Sequence, residues 1–231
     1  MKTGEYLEKG DYHKNPDKNW PFYPVYIEKM RMIENFLEEN GCGKKILDLG
    51  CGEGVLVDKF KSQGYDIIGA DANYGSENVL KKNILETGFE EGRFDIIFCL
   101  DVLEHLSFEN QDKALAEIKR ILKKDGLLIL TLPNLAHFAS RLSFLFAGKL
   151  IRTSKIERHP GDRPIKEFIN LIKNNDLKIT KRKGLFPTFP LLALFTYYFP
   201  GRIVWWHRIA NKLFAYPNWC FLNFIVCKNE K

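Results

Sequence analysis

Residues 44–60 read KKILDLGCGEGVLVDKF. A short apolar run, Ile46 to Leu49, meets three glycines spaced by single residues, Gly50, Gly52 and Gly54, and the chain then resumes as an amphipathic helix pattern. The reading is strand, tight turn, helix. Glycine lets such a turn bring backbone close to a ligand, and the first N–H groups of the following helix point at whatever lies in front of them. An ordinary turn without a ligand is the alternative. Asp48 and three glycines at fixed spacing seldom arise by chance, however, when glycine makes up about 7% of residues.

On either side the chain alternates between two patterns. YDIIGA (65–70), FDIIFCL (94–100) and GLLILTL (126–132) are continuous apolar runs of strand length. GVLVDKFKSQ (54–63) and QDKALAEIKRILKK (111–124), with Leu115, Ile118 and Leu122 on one face, are helical. So are residues 24–40, where Tyr26, Met30, Ile33 and Leu37 form a stripe that ends at Gly41. PIKEFINLIKNN (164–175) predicts a helix facing the sheet through Ile165, Phe168, Ile169 and Ile172, followed by a strand LKITKRK and a last strand near WCFLNFIVC. Apolar strands separated by helices indicate a mostly parallel sheet covered on both faces, a Rossmann-like α/β core. A chain of 231 residues, 45% hydrophobic, builds one domain with a full core. Within residues 1–231 we expect an N-terminal lid and helix (1–40), a ligand-binding core (41–133) and two excursions, 134–163 and 184–218. Excursions at the loop ends of a sheet shape a pocket without disturbing the core.

Asp71 ends the second strand, 23 residues after Asp48. A carboxylate there can accept both hydroxyls of a ribose. The dinucleotide fingerprint requires GxGxxG, and Val55 stands where its last glycine would fall, so NAD is only the alternative ligand. Asp48 to Gly54 instead follow DxGxGxG, and with Asp71 and the run CLDVLEHL (99–106) the chain resembles the class I S-adenosylmethionine-dependent methyltransferases over about residues 40–183 and the final strand. The resemblance implies a seven-stranded sheet of order 3-2-1-4-5-7-6 with its last strand antiparallel. It implies S-adenosylmethionine as cofactor, with the turn Gly50, Cys51, Gly52, Gly54 beneath its methionine and ribose, Asp48 supporting the turn and Leu100 flanking it. Asn83 stands where the family often has an Asp that receives the adenine amino group. This is a departure, although an Asn carbonyl also accepts a hydrogen bond, and the backbone at Ile84 would assist.

The same resemblance turns Asp101, Glu104 and His105 toward the methyl acceptor. In some relatives an acidic residue followed by Glu-His binds a divalent cation, and these three could do so weakly, but the preferred reading is that Glu104 and His105 line or cap the next helix and no metal is expected. Methyl transfer from a sulfonium is an in-line displacement with a neutral leaving group, so holding donor and acceptor in line does much of the work. A base is needed only where the acceptor holds its proton tightly, as a hydroxyl does. His105 is the first choice for that base and His159, in ERHPGDRP, the second. His137 and His207 lie among apolar and aromatic neighbours and read as packing or surface residues.

The net charge of +6 conceals a division: residues 1–140 hold 18 Lys and Arg against 24 Asp and Glu, residues 141–231 hold 17 against 5. Between Gly184 and Phe224 stand 13 aromatic residues, among them Trp205, Trp206 and Trp219, interleaved with Arg202, Arg208 and Lys212. Such a segment reads either as a surface meeting anionic lipid headgroups or as an aromatic lid or dimer contact. In 134–152, Leu135, Phe138, Leu142, Leu145 and Phe146 form a stripe expected to pack on the sheet, and Tyr12, His13, Trp20, Tyr23 and Tyr26 are possible pocket residues under an N-terminal lid. The expected acceptor is a small hydrophobic, lipid-linked or glycan-precursor molecule, most simply methylated on oxygen. Two other classes compete: a nucleic-acid methyltransferase or binder, ranked lower because no recognised nucleic-acid module accompanies the basic half, and a non-catalytic membrane-associated protein on the same fold. The five cysteines form no CxxC pair, the first fifteen residues carry no apolar signal core, and Pro187 and Pro190 interrupt the most apolar stretch. Those features lead us to expect a cytoplasmic protein, peripheral to a membrane at most.

Overall fold

The computed structural model describes residues 13–152 and 154–230. Seven strands, β1 (Ile46–Leu49), β2 (Ile67–Asp71), β3 (Val79–Lys81), β4 (Phe94–Leu100), β5 (Leu122–Pro133), β6 (Leu177–Pro187) and β7 (Cys220–Asn229), form one sheet in the order β3-β2-β1-β4-β5-β7-β6. The first five are parallel to their neighbours, and β7 runs antiparallel between β5 and β6. Because β7 is reversed, β5 and β6 point the same way. The segments that leave both strands therefore emerge at the carboxyl edge of the sheet, where ligands of such folds bind.

Residues along each strand alternate between two cores. Leu47 and Leu49 of β1, Ile97 and Cys99 of β4 and Leu128 and Leu130 of β5 pack on helices α3 (Phe108–Ile121) and α5 (Ile165–Asn174). Ile46, Ile96, Phe98, Ile129 and Phe224 face the other way, toward α1 (Tyr23–Asn40) and α2 (Val55–Ser62), whose Phe36 meets the rings of Phe98 and Phe224. Strands buried on both faces cannot alternate polar with apolar, which is why they read as unbroken apolar runs.

The structure departs from the sequence reading in four places. β3 has three residues with only Val79 buried, too little to register as a pattern. The helix expected over 111–124 begins earlier, at Phe108, because the Ser107 side chain accepts the Asn110 N–H as its cap. It yields to β5 at Leu122, where Asn229 Nδ2 donates to the carbonyls of Lys119, Leu122 and Lys123 and fixes the change from helix to strand. On α5, Leu171 joins Ile165, Phe168 and Ile172 in the core, against which Ile169 also packs, partly buried.

The fourth departure is the largest. The 134–163 excursion holds α4 (Phe138–Ala147), whose only buried residue is Ser140, while Phe144, Leu145 and Phe146 project into solvent. The apolar stripe does not pack on the sheet. The 184–218 excursion starts as the end of β6 and continues into α6 (Pro190–Tyr198) and α7 (Val204–Leu213). The five cysteines form no disulfide, and among the described residues no helix is long and apolar enough to cross a membrane.

Candidate active site

A cavity of about 590 Å³ opens at the carboxyl edge of β1, β2, β4 and β5. Gly50 and Cys51 of the glycine turn line it, while Gly52 and Gly54, expected there too, do not. Gly50, Gly52 and Gly54 all have positive φ, at +82°, +55° and +75°, a region that side chains disfavour. Space is short as well: a Cβ on Gly50 would lie 2.4 Å from Val102 Cγ2, and one on Gly54 2.7 Å from Val79 Cγ2. Asp71 Oδ2 accepts the Gly52 N–H at 2.9 Å and its Oδ1 accepts that of Asn73 at 2.7 Å, so the carboxylate joins the end of β2 to the turn after β1. Oδ1 also accepts the Tyr74 N–H at 3.3 Å, so it is Oδ2 that keeps a lone pair for a ligand hydroxyl. Asp48 is buried beneath, and burial pushes its carboxyl up to about 7, opposed by Lys29 and reinforced by Asp71.

Asp48, Gly50, Cys51, Asp71, Asn83, Ile84 and Leu100 all line this one cavity. Asn83 is exposed and its Oδ1 accepts the Leu85 N–H at 3.0 Å, an Asx turn that aims the same carbonyl along the rim. Burial holds the Cys51 thiol protonated, with Asp48 and Asp71 adding to the effect.

At the other end of the cavity stand His105 and His159, their ring centroids 4.5 Å apart in an edge-to-face arrangement. His105 Nδ1 lies 3.0 Å from the carbonyl oxygen of Arg158. A carbonyl only accepts, so Nδ1 carries the proton and Nε2 keeps its lone pair. His159 Nδ1 is 3.3 Å from Asp162 Oδ1, an ion-pair distance without the alignment of a hydrogen bond. The loop that carries His159 is held by Gln111, whose Nε2 donates to the carbonyls of Leu103 and Gly161 and whose Oε1 accepts from Arg163 Nε. Glu104 is fully buried at the cavity wall with Oε2 unpaired; burial and the neighbouring Asp101 raise its pKa well above the carboxylate range.

Asp101, in a left-handed conformation with φ +54°, takes the Lys29 ammonium on Oδ2 at 2.6 Å and the Thr131 hydroxyl on Oδ1. Asp101 and His105 thus face different partners, and Glu104 Oε2 faces none among the described residues. Among the described residues no cluster of three His, Cys, Asp or Glu side chains is disposed to hold a metal ion. His137 and His207 are packing residues, as expected. Thr188 and the Ser140 N–H donate to His137 Nδ1, His207 stacks on Phe186 at 4.1 Å and bonds Thr196, and burial lowers both to about 4.

The N-terminal segment roofs the cavity. His13, Trp20 and Tyr26 line it; Tyr23 does not, and Tyr12 lies outside the described residues. His13 closes onto the glycine turn itself, with Nδ1 2.7 Å from Glu53 Oε2 and its N–H on Oε1 at 3.2 Å, while the Tyr26 hydroxyl donates to the His13 carbonyl. The sequence reading missed Lys29, Gln111 and Glu53. Lys29 lies three residues after Tyr26 and four before Ile33, and Gln111 four before Leu115, so both sit on helix faces that had to be buried.

A family model described as a methyltransferase domain matches residues 26–181. The ubiquinone biosynthesis O-methyltransferase of Rickettsia bellii (strain OSU 85-389) is 26% identical over 174 residues, spanning 69% of this chain and 70% of that protein. Its namesake from Pasteurella multocida is 26% identical over 176 residues, 65% of this chain and 72% of that one. Among solved structures, an S-adenosylmethionine-dependent methyltransferase from Archaeoglobus fulgidus superposes with a TM-score of 0.52 at 18% identity, covering 90% of this chain and 99% of that one. The 1,6-didemethyltoxoflavin-N1-methyltransferase of Burkholderia thailandensis, with bound S-adenosylhomocysteine, gives 0.57 at 14% identity, covering 98% and 84%.

Proposed function

Because the chain belongs to the methyltransferase-domain family and is an S-adenosylmethionine-dependent methyltransferase, we propose that it methylates an oxygen of a small hydrophobic acceptor, of lipid-linked or glycan-precursor type. One observation carries the reading: a single cavity is lined by Gly50 and Cys51 of the glycine turn, Asp71 and Asn83, and also by His105, His159 and the apolar Phe22, Phe221 and Leu222. The names of the O-methyltransferase relatives favour oxygen over nitrogen.

Bound S-adenosylmethionine supplies a methyl group on a sulfonium, whose sulfur departs neutral. Gly50 and Cys51 would receive it through backbone, with Gly52 and Gly54 shaping the turn behind them; Asp71 would take the ribose hydroxyls, Leu100 would make van der Waals contact, and Asn83 with the Ile84 backbone would meet the adenine edge. His105 Nε2 takes the acceptor's hydroxyl proton, and the Arg158 carbonyl holds the neutral ring in the tautomer whose proton sits on Nδ1. His159 packs against the edge of the His105 ring and keeps it facing the cavity. Aromatic walls exclude water and align an apolar acceptor with the donor.

The test is transfer of labelled methyl from S-adenosylmethionine to a panel of hydrophobic phenols, catechols and amines. Phenolic or catecholic products are expected, with kcat lowered roughly 10²-fold or more by His105→Ala at unchanged donor affinity. Methylation of the amines alone would overturn the oxygen assignment, and full activity of His105→Ala would remove it as the base.

A further inference from the structure

Helix α6 is built inside out. Leu191, Leu194, Phe195 and Tyr198 fall at i, i+3, i+4 and i+7, one continuous apolar face, and all four are more than half exposed. The only buried residue of α6 is Thr196, and those of α7 are His207, Ala210 and Asn211. Polar groups bond to one another inside: Thr196 Oγ1 to His207 Nε2 at 2.6 Å, and Asn211 Oδ1 accepting the Phe186 N–H at 2.7 Å. A helix bordering water turns its polar face outward; α6 does the reverse, and α7 exposes Trp205, Trp206 and Leu213 alongside Arg208 and Lys212.

The neighbouring α4 extends the same surface. Phe138 stacks on Trp219 with centroids 5.3 Å apart and touches Phe189, which in turn meets Phe214, so the start of α4, the start of α6 and the segment after α7 meet. From there α4 carries Leu145 and Phe146 outward at 73% and 83% exposure. An apolar area of this extent marks a contact surface. Its charge identifies the contact. Residues 141–156 and 184–219 together contain seven Lys and Arg and no Asp or Glu. Two copies of so one-sided a surface repel each other, whereas apolar and aromatic side chains fringed by cations suit a layer with anionic headgroups over acyl chains.

We propose that the outer faces of α4, α6 and α7 dock on a lipid bilayer containing anionic headgroups. The apolar side chains enter the boundary between headgroups and acyl chains, and the surrounding Lys and Arg meet the phosphates. All three helices leave the sheet at the edge that holds the cavity, so docking presents the acceptor end of the site to the membrane. For this last point the proposal rests on the hydrophobic-acceptor reading; the docking itself does not.

The experiment is sedimentation of the full chain with phosphatidylcholine vesicles, plain or doped with phosphatidylglycerol, at low and high salt. Binding to the doped vesicles should be roughly 10-fold tighter than to the plain ones and should weaken with salt. Leu191→Asp with Phe195→Asp should abolish it, calorimetric titration with S-adenosylmethionine showing that the variant is folded. Arg202→Glu with Lys212→Glu should cancel the preference for doped vesicles. Sedimentation with neither vesicle, equal binding to both, or a concentration-dependent dimer broken by the Asp variant would overturn docking. Methyl transfer to a detergent-dispersed phenol reads the acceptor assignment separately: transfer without vesicle binding sinks docking alone, and vesicle binding without transfer sinks the acceptor reading alone.

Discussion

The proposed donor end and the proposed acceptor edge of this molecule are held in opposite ways. At the donor end, β1, β2 and the turn between β1 and α2 are fixed by backbone: positive φ at three glycines, peptide N–H groups on Asp71, and no room for a methyl group on Gly50 or Gly54. At the acceptor edge, α4, α6 and α7 are held by side chains. His137 and Thr188, Thr196 and His207, and a chain of aromatic rings fasten helices whose outer faces cover nothing. A cofactor common to a family needs one rigid geometry, while an acceptor that varies within it is met by helices whose outer side chains can change without disturbing the sheet.

The strongest way to break this contrast is Gly50→Ala. Its Cβ would lie 2.4 Å from Val102 Cγ2 at a φ of +82°, so overpacking and a left-handed backbone together should cost about 3 kcal/mol of stability. Affinity for S-adenosylmethionine should fall roughly 100-fold. Adding Val102→Ala should recover part of the stability by removing the clash and leave the φ penalty. Phe146→Ser, at the exposed end of α4, should shift stability by no more than about 0.5 kcal/mol. Thermal melts and calorimetric titration read all three; a Gly50→Ala protein that binds the donor normally would show that the turn tolerates side chains after all.

Acid sharpens the contrast, because the two regions respond with opposite sign. Burial lowers His137 and His207 to about 4, against about 6.5 in an unfolded chain. Between those values the unfolded state binds protons that the folded state refuses, so stability at the acceptor edge is present above pH 6.5 and lost as pH falls, by up to about 3 kcal/mol per histidine. Asp48 runs the other way. Burial, with Asp71 adding to it, raises its carboxyl to about 7, so from the unfolded value of about 4 upward the folded state keeps a proton the unfolded state has lost, and stability falls as pH rises through the window. Hydrogen exchange at pH 5 and pH 7.5, corrected for intrinsic rates, should show 138–147 and 204–213 opening more readily in acid while 46–60 become better protected. A uniform change across both regions would contradict the assignment.

The same division governs what could be read in the sequence. The strands buried on both faces and the glycine turn were legible, since a parallel sheet and a close backbone approach leave few residue choices. Strand β3 was not: Val79, Leu80 and Lys81 join the sheet through backbone, with one buried side chain. Periodicity showed that α4 has an apolar stripe but not what covers it, and here the sheet does not. His105 and His159 were legible as residue types, yet the ring contact between them depends on Gln111 fastening the second loop to the first. That is a tertiary hydrogen bond with no local signature.

The smallest effect is expected where the N-terminal segment bridges the contrast. It is not part of the sheet, yet His13 binds Glu53 inside the glycine turn through both Nδ1 and backbone N–H. Burial opposes ionisation of Glu53, but the hydrogen bonds and charge of His13 outweigh it and hold its pKa below the ordinary carboxylate range. The contact's contribution is therefore in place above that range and lost as pH falls through the lowered pKa. Because His13 is about a quarter exposed, solvent screens the pair. Glu53→Gln should weaken donor binding only about 2–5-fold, within the 0–1 kcal/mol expected of such a bridge, and the change should appear in the rate at which S-adenosylhomocysteine leaves. Stopped-flow dissociation at neutral pH measures that rate. A loss approaching that of Gly50→Ala would place the roof among the rigid parts of the donor site, and the contrast would then lie between a closed donor chamber and an open acceptor edge.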